Sequence, residues 1–276
     1  MRVGRIFLAF CLLGLVTSVT ASEPASNNII RLAATTSIDN SGLLPYLLPK
    51  FTDKHPYRIE LKIVGSGKAL RLGRTGAVDM VWVHSPPAEK KFVDEEYGIH
   101  RHTVMRNDFV IAGPVADPGE IAATAHAYQA LQHIAQQGLT FVSRADDSGT
   151  NKKELVLWNK AGIDPYGKGW YLEAGSGMAA TLELAQQQNA YLLIDRATFM
   201  VRKNDKLKIL LEDPINLSNP YSVIAVNPDK HQTVNRNGAD ELINWLASAE
   251  GQKAIGDYQF NGVQLYTPVN ATTKNH

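Results

Sequence analysis

The stretch 31-RLAATTSIDNSGLLPYLLPKF-51 contains the pattern from which the fold is inferred. An apolar run up to Ala34 leads into the hydroxyl residues Thr35, Thr36 and Ser37, which are followed by an Asp-Asn-Ser-Gly turn and a Leu-rich segment. The pattern predicts a strand, a hydroxyl-rich turn that opens a helix, and an amphipathic helix. No histidine or cysteine lies in the stretch to activate these hydroxyls as nucleophiles.

The same alternation continues along the chain. Apolar, β-rich runs recur as IIRLAAT, YRIELKIVG, VDMVWVH, NDFVIAGP, LTFVSR, AYLLID, LKILLE and YSVIAVNP. Helical patterns lie between several of them, including KALRLGRTG, IAATAHAYQALQHIAQQG and SGMAATLELAQQQ. This order predicts βαβ units with largely parallel sheets, and the lack of a repeat of roughly 20 to 50 residues argues against solenoids and propellers.

Two segments, 107–118 and 213–228, each join a strand to Pro-rich turns and are interpreted as crossings between lobes. The predicted fold class is therefore α/β, with two α/β lobes joined by two hinge crossings around a central cleft. We predict a discontinuous lobe 1 of residues 28–110 and 221–272, and a lobe 2 of residues 111–220. The segment GADELINWLASAEGQKAIGDYQF predicts a closing helix pair on lobe 1.

The amino terminus predicts export. Residues 1–21 have Arg2 and Arg5, then an apolar run and small residues, which is the pattern of a cleaved secretory signal peptide. A transmembrane anchor is the alternative, but the apolar run is shorter than the roughly 20 residues that span a bilayer. Cys11 is preceded by Phe10, where lipid attachment requires a small residue, so we expect a soluble periplasmic protein.

Composition narrows the function classes. Charged residues make up 20% and apolar residues 44% of the chain, as in ordinary globular proteins. Loss of Arg2 and Arg5 with the signal peptide would change the formal net charge from +1 to −1. Such a chain has no overall field that would attract nucleic acid or a membrane. Without Cys11 it forms neither a disulfide nor a cysteine-based metal site.

Four loops share one chemistry. Each puts small hydroxyl residues or glycines where a strand ends and a helix begins, so free backbone N–H groups and the positive end of the helix dipole face the cleft. They are TTS at 35–37, VGSGKAL with Ser66, SRADDSGTNKKE with Arg144, Ser148, Gly149 and Thr150, and EAGSGMAATLE with Ser176. This pattern suits an anion site. Simple helix capping is the other interpretation of each loop.

Two arginines add full charges at strand ends. Arg144 follows the apolar run LTFV, and its guanidinium could grip two oxygens of one anion. A structural salt bridge to Asp146, Asp147 or Asp195 is the alternative, and both roles are compatible. Arg196 is the weaker ligand candidate, because a hinge or lobe-to-lobe ion pair fits its position as well.

At these residues the chain resembles a known family. The segments AATTSIDNSGLL, VGSGKAL, DMVWVHSPPAEKKFV, RNDFVIAGP, SRADDSGTNKKELVLW, YLEAGSGMAATLELA and AYLLIDRATF are similar, in the same order, to TupA-type tungstate-binding proteins, the periplasmic components of an ABC importer. The resemblance implies a type II periplasmic binding-protein fold. It also implies capture of tungstate, with molybdate as a weaker competitor, for delivery to an ABC permease.

The resemblance and the loops together predict an oxyanion site, with no catalytic residue and no cofactor. The residues of this predicted site are Thr35, Thr36, Ser37, Ser66, Arg144, Ser148, Gly149, Thr150 and Arg196. Spacing alone leaves molybdate, phosphate and sulfate open as ligands. We expect a monomer without nucleic-acid partners, in which tungsten is bound only as the oxyanion.

A hydrolase is the rival class. DDSGT resembles the Asp-Ser-Gly-Thr turn of aspartic proteases, but that chemistry needs a second carboxylate, and no second copy exists. GSGKAL lacks the first glycine and the final Ser/Thr of a phosphate-binding P-loop. His84, His100 and His102 lack a defined carboxylate or cysteine partner, and we interpret them as solvated or capping histidines, not metal ligands.

Overall fold

The computed structural model describes residues 28–202 and 204–269 and has a mixed α/β architecture. The predicted signal peptide, residues 1–21, lies outside the described residues. Within those two ranges, no helix combines the length and the apolar character needed to cross a lipid bilayer.

Strands and helices alternate over most of the chain. The strands are β1 (Ile29–Thr35), β2 (Arg58–Val64), β3 (Met80–Val83), β4 (Gly98–Pro114), β5 (Phe141–Ser143), β6 (Tyr171–Glu173), β7 (Leu192–Asp195), β8 (Leu207–Leu211), β9 (Ser218–Val226), β10 (Gln259–Phe260), β11 (Val263–Gln264) and β12 (Thr267–Pro268). The α-helices are α1 (Thr36–Asn40), α2 (Leu43–Thr52), α3 (Ser66–Arg74), α4 (Pro86–Asp94), α5 (Ala127–Gln136), α6 (Gly149–Ala161), α7 (Met178–Gln188), α8 (Arg196–Val201), α9 (Arg236–Ala247) and α10 (Ala249–Asp257). A 3-10 helix, Ile121–Ala123, precedes α5.

The opening stretch builds the edge of the first sheet. Strand β1 pairs in parallel with both β2 and β3, and α2 packs Leu43, Leu47 and Phe51, spaced four residues apart, into the core. Gly42 separates α1 from α2 with a φ of 78°, in the left-handed region that favours glycine. A Cβ atom there would lie 2.7 Å from the Tyr258 hydroxyl oxygen, so no larger residue fits.

One long strand connects the two sheets. The first part of β4, Gly98–Asp108, pairs antiparallel with β9, while Phe109–Pro114 pairs antiparallel with β7 and β8. The chain returns to the first sheet through β9, which also pairs antiparallel with β3. The two predicted crossings therefore lie side by side, with Asn107 opposite Asn219.

Both faces of each sheet are covered. Alternate residues of a strand point to opposite faces, and Leu32 and Ala33 of β1 enter different core clusters. In β4, Val110 and Ile111 likewise enter two further clusters, built around the second sheet. Helices α9 and α10 pack in the first of these clusters, as the closing helix pair was predicted to do.

The sheets are less parallel than expected. Strands β1, β2 and β3 are parallel, as are β5 and β6, but every pairing of β4 and β9 is antiparallel. The reason is the double crossing: β4 carries the chain away from the first lobe and β9 carries it back. Two strands that cross in opposite directions and lie adjacent pair as an antiparallel ladder.

Candidate functional site

Three of the four predicted loops meet where the two lobes face each other. The β1–α1 turn and the start of α3 come from the first lobe, and the β5–α6 loop comes from the second. A Cβ atom on Gly65 would lie 3.7 Å from the Ser148 Cβ, and one on Gly149 would lie 2.8 Å from the carbonyl oxygen of His84. The absence of a side chain at Gly149 lets the start of α6 approach His84 of the first lobe closely.

The Thr-Thr-Ser turn joins β1 to α1 in the first lobe. Thr35 and Ser37 are buried, and their hydroxyl oxygens lie 3.1 Å apart. Thr36 is the first residue of α1 and is partly buried. Thr35 is the residue that precedes α1, yet its side chain makes no capping hydrogen bond. Helix capping by the Thr35 side chain therefore does not account for the hydroxyl residues of the β1–α1 turn.

Ser66 and Thr150 are the clearest sign of a ligand site. Both residues are 0% exposed, and neither hydroxyl has a hydrogen-bond partner among the described residues. Ser66 begins α3 and Thr150 lies in the first turn of α6, so the two hydroxyls come from different lobes. A buried polar group without a partner has lost its hydrogen bonds to water. Other unpartnered atoms, such as Trp82 Nε1 and Trp245 Nε1, occur in the described chain, but Ser66 and Thr150 lie at helix starts of the two facing lobes.

Arg144 supplies the charge. Its side chain is 3% exposed, and Nη2 donates to Asp146 Oδ2 at 2.5 Å. Its Nε is buried without a hydrogen-bond partner in residues 28–202 and 204–269. The structure thus shows one of the predicted salt bridges and leaves a donor of the same guanidinium available for an anion.

Ser148 and Gly149 start α6. The Ser148 hydroxyl oxygen accepts a hydrogen bond from the backbone N–H of Asn151 at 3.2 Å, so this serine caps α6. The hydroxyl hydrogen of Ser148 can still be donated to a ligand. Helices α3 and α6 both begin at this cleft, so their free N–H groups and positive dipole ends add to the attraction for an anion.

A second layer of residues holds the Arg144 loop in shape. The Ser143 hydroxyl donates to Glu154 Oε2 at 2.8 Å and accepts from the backbone N–H of Ala145 at 3.2 Å. Glu154 Oε1 also accepts from the Tyr171 hydroxyl at 2.7 Å and from Trp158 Nε1 at 3.0 Å. Burial raises the pKa of Glu154 to about 7, and these hydrogen bonds oppose the shift.

Contacts between the lobes flank the site. Arg71 of α3 lies 3.1 Å from Asp147 of the opposite loop, and Arg202 Nη2 donates to Asn40 Oδ1 at 2.8 Å. A Cβ atom on Gly67 would lie 2.3 Å from Asp147 Oδ2. The lobes are therefore packed together around the buried hydroxyls.

Comparison with known proteins agrees with this geometry. The PBP superfamily domain matches residues 18–250 of the chain. The tungstate-binding protein TupA of Peptoclostridium acidaminophilum is 43% identical over 249 residues, which cover 88% of this chain and 86% of that protein. The chain belongs to the TupA family of tungstate-binding proteins.

Solved structures of this family have the same fold. The tungstate ABC transporter protein from Geobacter sulfurreducens has 44% sequence identity and a TM-score of 0.77, covering 85% of this chain and 100% of its own. The tungstate-binding protein TupA from Desulfovibrio alaskensis G20 has 42% identity and a TM-score of 0.75, covering 87% and 98%. The predicted periplasmic binding-protein fold is confirmed.

In this TupA-family chain, Arg196 has different contacts from the other predicted ligand residues. Its Nε and Nη2 donate to the two carboxylate oxygens of Asp108 at 2.7 and 2.6 Å, and Nη2 also donates to Glu212 at 2.7 Å. These hydrogen bonds raise its pKa. Arg196 thus joins α8 to the crossing strand β4, and it is not among the ligand residues proposed below.

The fourth loop also differs from the other three. Gly175 and Gly177 are exposed, and a Cβ atom on either would meet nothing within 4 Å. Thr181 donates to the Ser176 and Gly177 carbonyls at 3.4 and 3.2 Å, which helps to close the first turn of α7. This loop has the sequence pattern of the others without their burial.

Several residues next to the site were missed by sequence reasoning. His84 was interpreted as solvated or capping, but it is 4% exposed and its Nε2 lies 3.3 Å from the Ser37 hydroxyl oxygen. The Tyr221 hydroxyl donates to the same oxygen at 3.2 Å. A signal for His84 was present, since it directly follows the apolar run VDMVWV, as the other site residues follow their strands.

The rival chemistries have little support from the arrangement. Asp147 of the DDSGT turn is paired with Arg71 at 3.1 Å and Lys152 at 3.0 Å. These two cations outweigh the effect of burial and lower its pKa, so it is a poor proton donor at neutral pH. No group of three or more metal-ligating side chains occurs within the described part of the chain.

Proposed function

We propose that this protein captures tungstate in the periplasm for delivery to an ABC permease, with molybdate as a weaker competitor. The proposal rests on three buried donors at this cleft that have no partner within residues 28–202 and 204–269: the Ser66 and Thr150 hydroxyls and Arg144 Nε. They come from two lobes and lie in loops that open helices, where an anion is favoured. The similarity of the chain to tungstate-binding proteins supports tungstate as the oxyanion that is bound.

The chemistry suits a tetrahedral dianion. Four oxygens can accept several convergent hydrogen bonds, and charge-assisted bonds each contribute roughly 1.5–3 kcal/mol. The proposed ligand residues are Thr35, Thr36, Ser37, Ser66, Arg144, Ser148, Gly149 and Thr150. They are donors with no general base assigned among them, and the proposal is one of binding without catalysis. After cleavage of the signal peptide, the protein would act as a periplasmic monomer.

Size and protonation would separate the oxyanions. Sulfate and phosphate are smaller than tungstate, so a cage fitted to tungstate leaves some donors out of reach, and a protonated phosphate would need an acceptor. Molybdate is nearly isosteric with tungstate, so shape discriminates poorly between the two. We propose that Arg144 tightens the cage and contributes much of the preference for tungstate.

Arg144→Lys tests that preference. Lysine keeps the charge but loses the planar set of donors, so the change should weaken tungstate binding more than molybdate binding. Isothermal titration calorimetry with each anion measures both losses. Equal losses would contradict the assignment of selectivity to Arg144.

A titration panel tests the function itself. Purified protein is titrated with tungstate, molybdate, sulfate and phosphate by calorimetry, and its melting temperature is measured with each anion. We expect tungstate to bind most tightly, and at 1,000 times its Kd to add about 4 kcal/mol of stability. An unchanged melting temperature with tungstate would refute the proposal, and tighter binding of sulfate or phosphate would reassign the ligand.

A further inference from the structure

His84 is a buried ionisable ring beside the Thr-Thr-Ser turn, and the proposed function leaves it without a role. It follows β3 and lies against three other parts of the fold. Its ring stacks on Tyr221 with centroids 4.7 Å apart, Nδ1 lies 2.8 Å from Asn219 Oδ1, and Cε1 would be 2.9 Å from a Cβ on Gly149. His84 therefore touches the returning strand and the opposite lobe as well as Ser37.

With the Asn219 amide oriented as it is in the structure, the neighbouring hydrogen bonds place the proton of the neutral ring on Nδ1. Asn219 Nδ2 donates to Asn107 Oδ1 at 2.7 Å and to the Tyr221 hydroxyl at 3.1 Å, which uses both of its hydrogens. Asn219 Oδ1 is therefore the acceptor for His84 Nδ1–H. In the neutral ring, Nε2 then has a lone pair, and this lone pair faces the Ser37 hydroxyl at 3.3 Å.

Ser37 has a single hydrogen to give. The Tyr221 hydroxyl already donates to Ser37 Oγ at 3.2 Å, so Ser37 can direct its own hydrogen to His84 Nε2, to Thr35 Oγ1 or to a ligand. If Ser37 donates to an anion, His84 Nε2 and Ser37 Oγ face each other with lone pairs only. A buried contact of this kind is unfavourable.

We propose that His84 positions the Ser37 hydroxyl and takes up one proton when the anion binds. This inference rests on the proposed oxyanion function. The buffer acid supplies the proton, an N–H bond forms at Nε2, and that N–H then donates to Ser37 Oγ. Ser37 thereby accepts from the ring and donates to the ligand, and the imidazolium places a positive charge near the dianion.

The electrostatics of the ring explain why it is neutral beforehand. Burial lowers the pKa of His84 to about 4, its hydrogen bond to Asn219 opposes the shift, and the charge of Arg144 lowers it further. Lys91 of α4, together with Lys152 and Lys153 of α6, lines the same groove as His84. A dianion bound beside Ser37 opposes these cations and raises the pKa of the ring.

Other ionisable groups also lie near the ring, on the elements packed against it. Tyr221 of β9 has a pKa raised by burial, so it is a neutral donor. Burial raises the pKa of Asp195 at the end of β7; its Oδ1 accepts from the Thr198 backbone N–H at 2.9 Å, and its Oδ2 has no partner in the described residues. Glu89 of α4 accepts from Arg101 at 2.9 and 2.7 Å. Of these groups, His84 is the one that contacts Ser37 through a nitrogen able to gain a proton when a dianion binds there.

Calorimetry in buffers of different ionisation enthalpy measures the proton directly. Tungstate is titrated into the protein near neutral pH, and the dependence of the heat on the buffer gives the number of protons taken up. We expect an uptake of up to one proton per tungstate in the natural protein, increasing as the pH is lowered, and none in His84→Gln. His102→Gln is the matched control, because His102 is exposed. This variant should take up the same number of protons per tungstate as the natural protein.

Two further measurements keep the inference testable if His84→Gln folds poorly. Tyr221→Phe keeps the stacked ring and should retain the proton uptake. In the natural protein, tungstate affinity should fall as pH rises, by up to about tenfold per pH unit between the pKa values of the free and the bound ring.

The outcomes separate the two proposals. Binding of tungstate without proton uptake, or uptake by His84→Gln equal to that of the natural protein, would overturn the role of His84 alone. A lack of binding heat with both tungstate and molybdate would overturn the oxyanion function and this inference with it.

Discussion

Arg144 and Arg196 occupy similar positions in the sequence and opposite situations in the structure. Each stands just beyond the end of a strand of the second lobe, and each is bonded to a carboxylate. Arg144 is almost completely buried, pairs through Nη2 with Asp146, and keeps Nε without a partner in the described residues. Arg196 is 24% exposed and gives Nε and Nη2 to Asp108 and Glu212.

The difference shows what separates a ligand arginine from a structural one. Arg144 and Arg196 have the same charge and both directly follow a strand, so neither property decides which of them binds a ligand. The deciding property is a donor that is buried and still unsatisfied, because the protein retains such a donor at a cost unless something binds it. By this criterion we propose Arg144 as a ligand residue together with Ser66 and Thr150, and Arg196 as a structural residue.

Arg144→Gln should have the largest effect. The change removes a charge-assisted donor from the cage, which is worth roughly 1.5–3 kcal/mol, or about 10- to 100-fold in tungstate affinity. Calorimetry with tungstate measures the loss, and the melting temperature without ligand reports on folding. Affinity within threefold of the natural protein would remove Arg144 from the ligand set.

Ser66→Ala comes next, with Ser148→Ala as its counterpart. Ser66 has no partner in the described chain, so its loss should weaken tungstate by roughly tenfold while leaving the free protein as stable or slightly more stable. Ser148 caps α6, so its loss should also lower the free energy of unfolding by about 1 kcal/mol.

Denaturant unfolding and tungstate titration of these two serine variants distinguish the roles. A destabilised Ser66→Ala protein with unchanged affinity would show that the hydroxyl is structural.

Arg196→Gln should have the smallest effect on binding. Its ion pairs with Asp108 and Glu212 are partly exposed, so their loss should cost roughly 0.5–1 kcal/mol of folding stability. Tungstate affinity should stay within about threefold, since the proposed cage is intact. A loss as large as that of Arg144→Gln would erase the contrast between the two arginines.

The strand and helix pattern was accessible from the sequence because it is local. In the stretch from Arg31 to Phe51, β1 and α2 form as predicted, since its apolar spacing and its glycine act over a few residues, while the short helix α1 includes the first part of the predicted turn. The direction of pairing was not accessible in the same way. Strands β4 and β9 pair antiparallel because of where the chain crosses between lobes, which is a long-range property.

The candidate site likewise contains residues that local sequence patterns predicted and residues that only long-range contacts bring together. Hydroxyls at the starts of α1, α3 and α6 were readable from residues adjacent in sequence. Ser176 has the same pattern, but its loop is flanked by exposed glycines. His84, Asn219 and Tyr221 are distant in sequence and join Ser37 only through the pairing of β9 with β3 and β4.

The sequence by itself determined the α/β class, the family and the donors that an oxyanion needs, because strand ends and helix starts are encoded within short segments. The tertiary structure decided which donors are buried, which are already satisfied and which residues surround them. Burial and hydrogen-bond satisfaction depend on contacts between lobes and crossings, and no single segment of the chain contains that information.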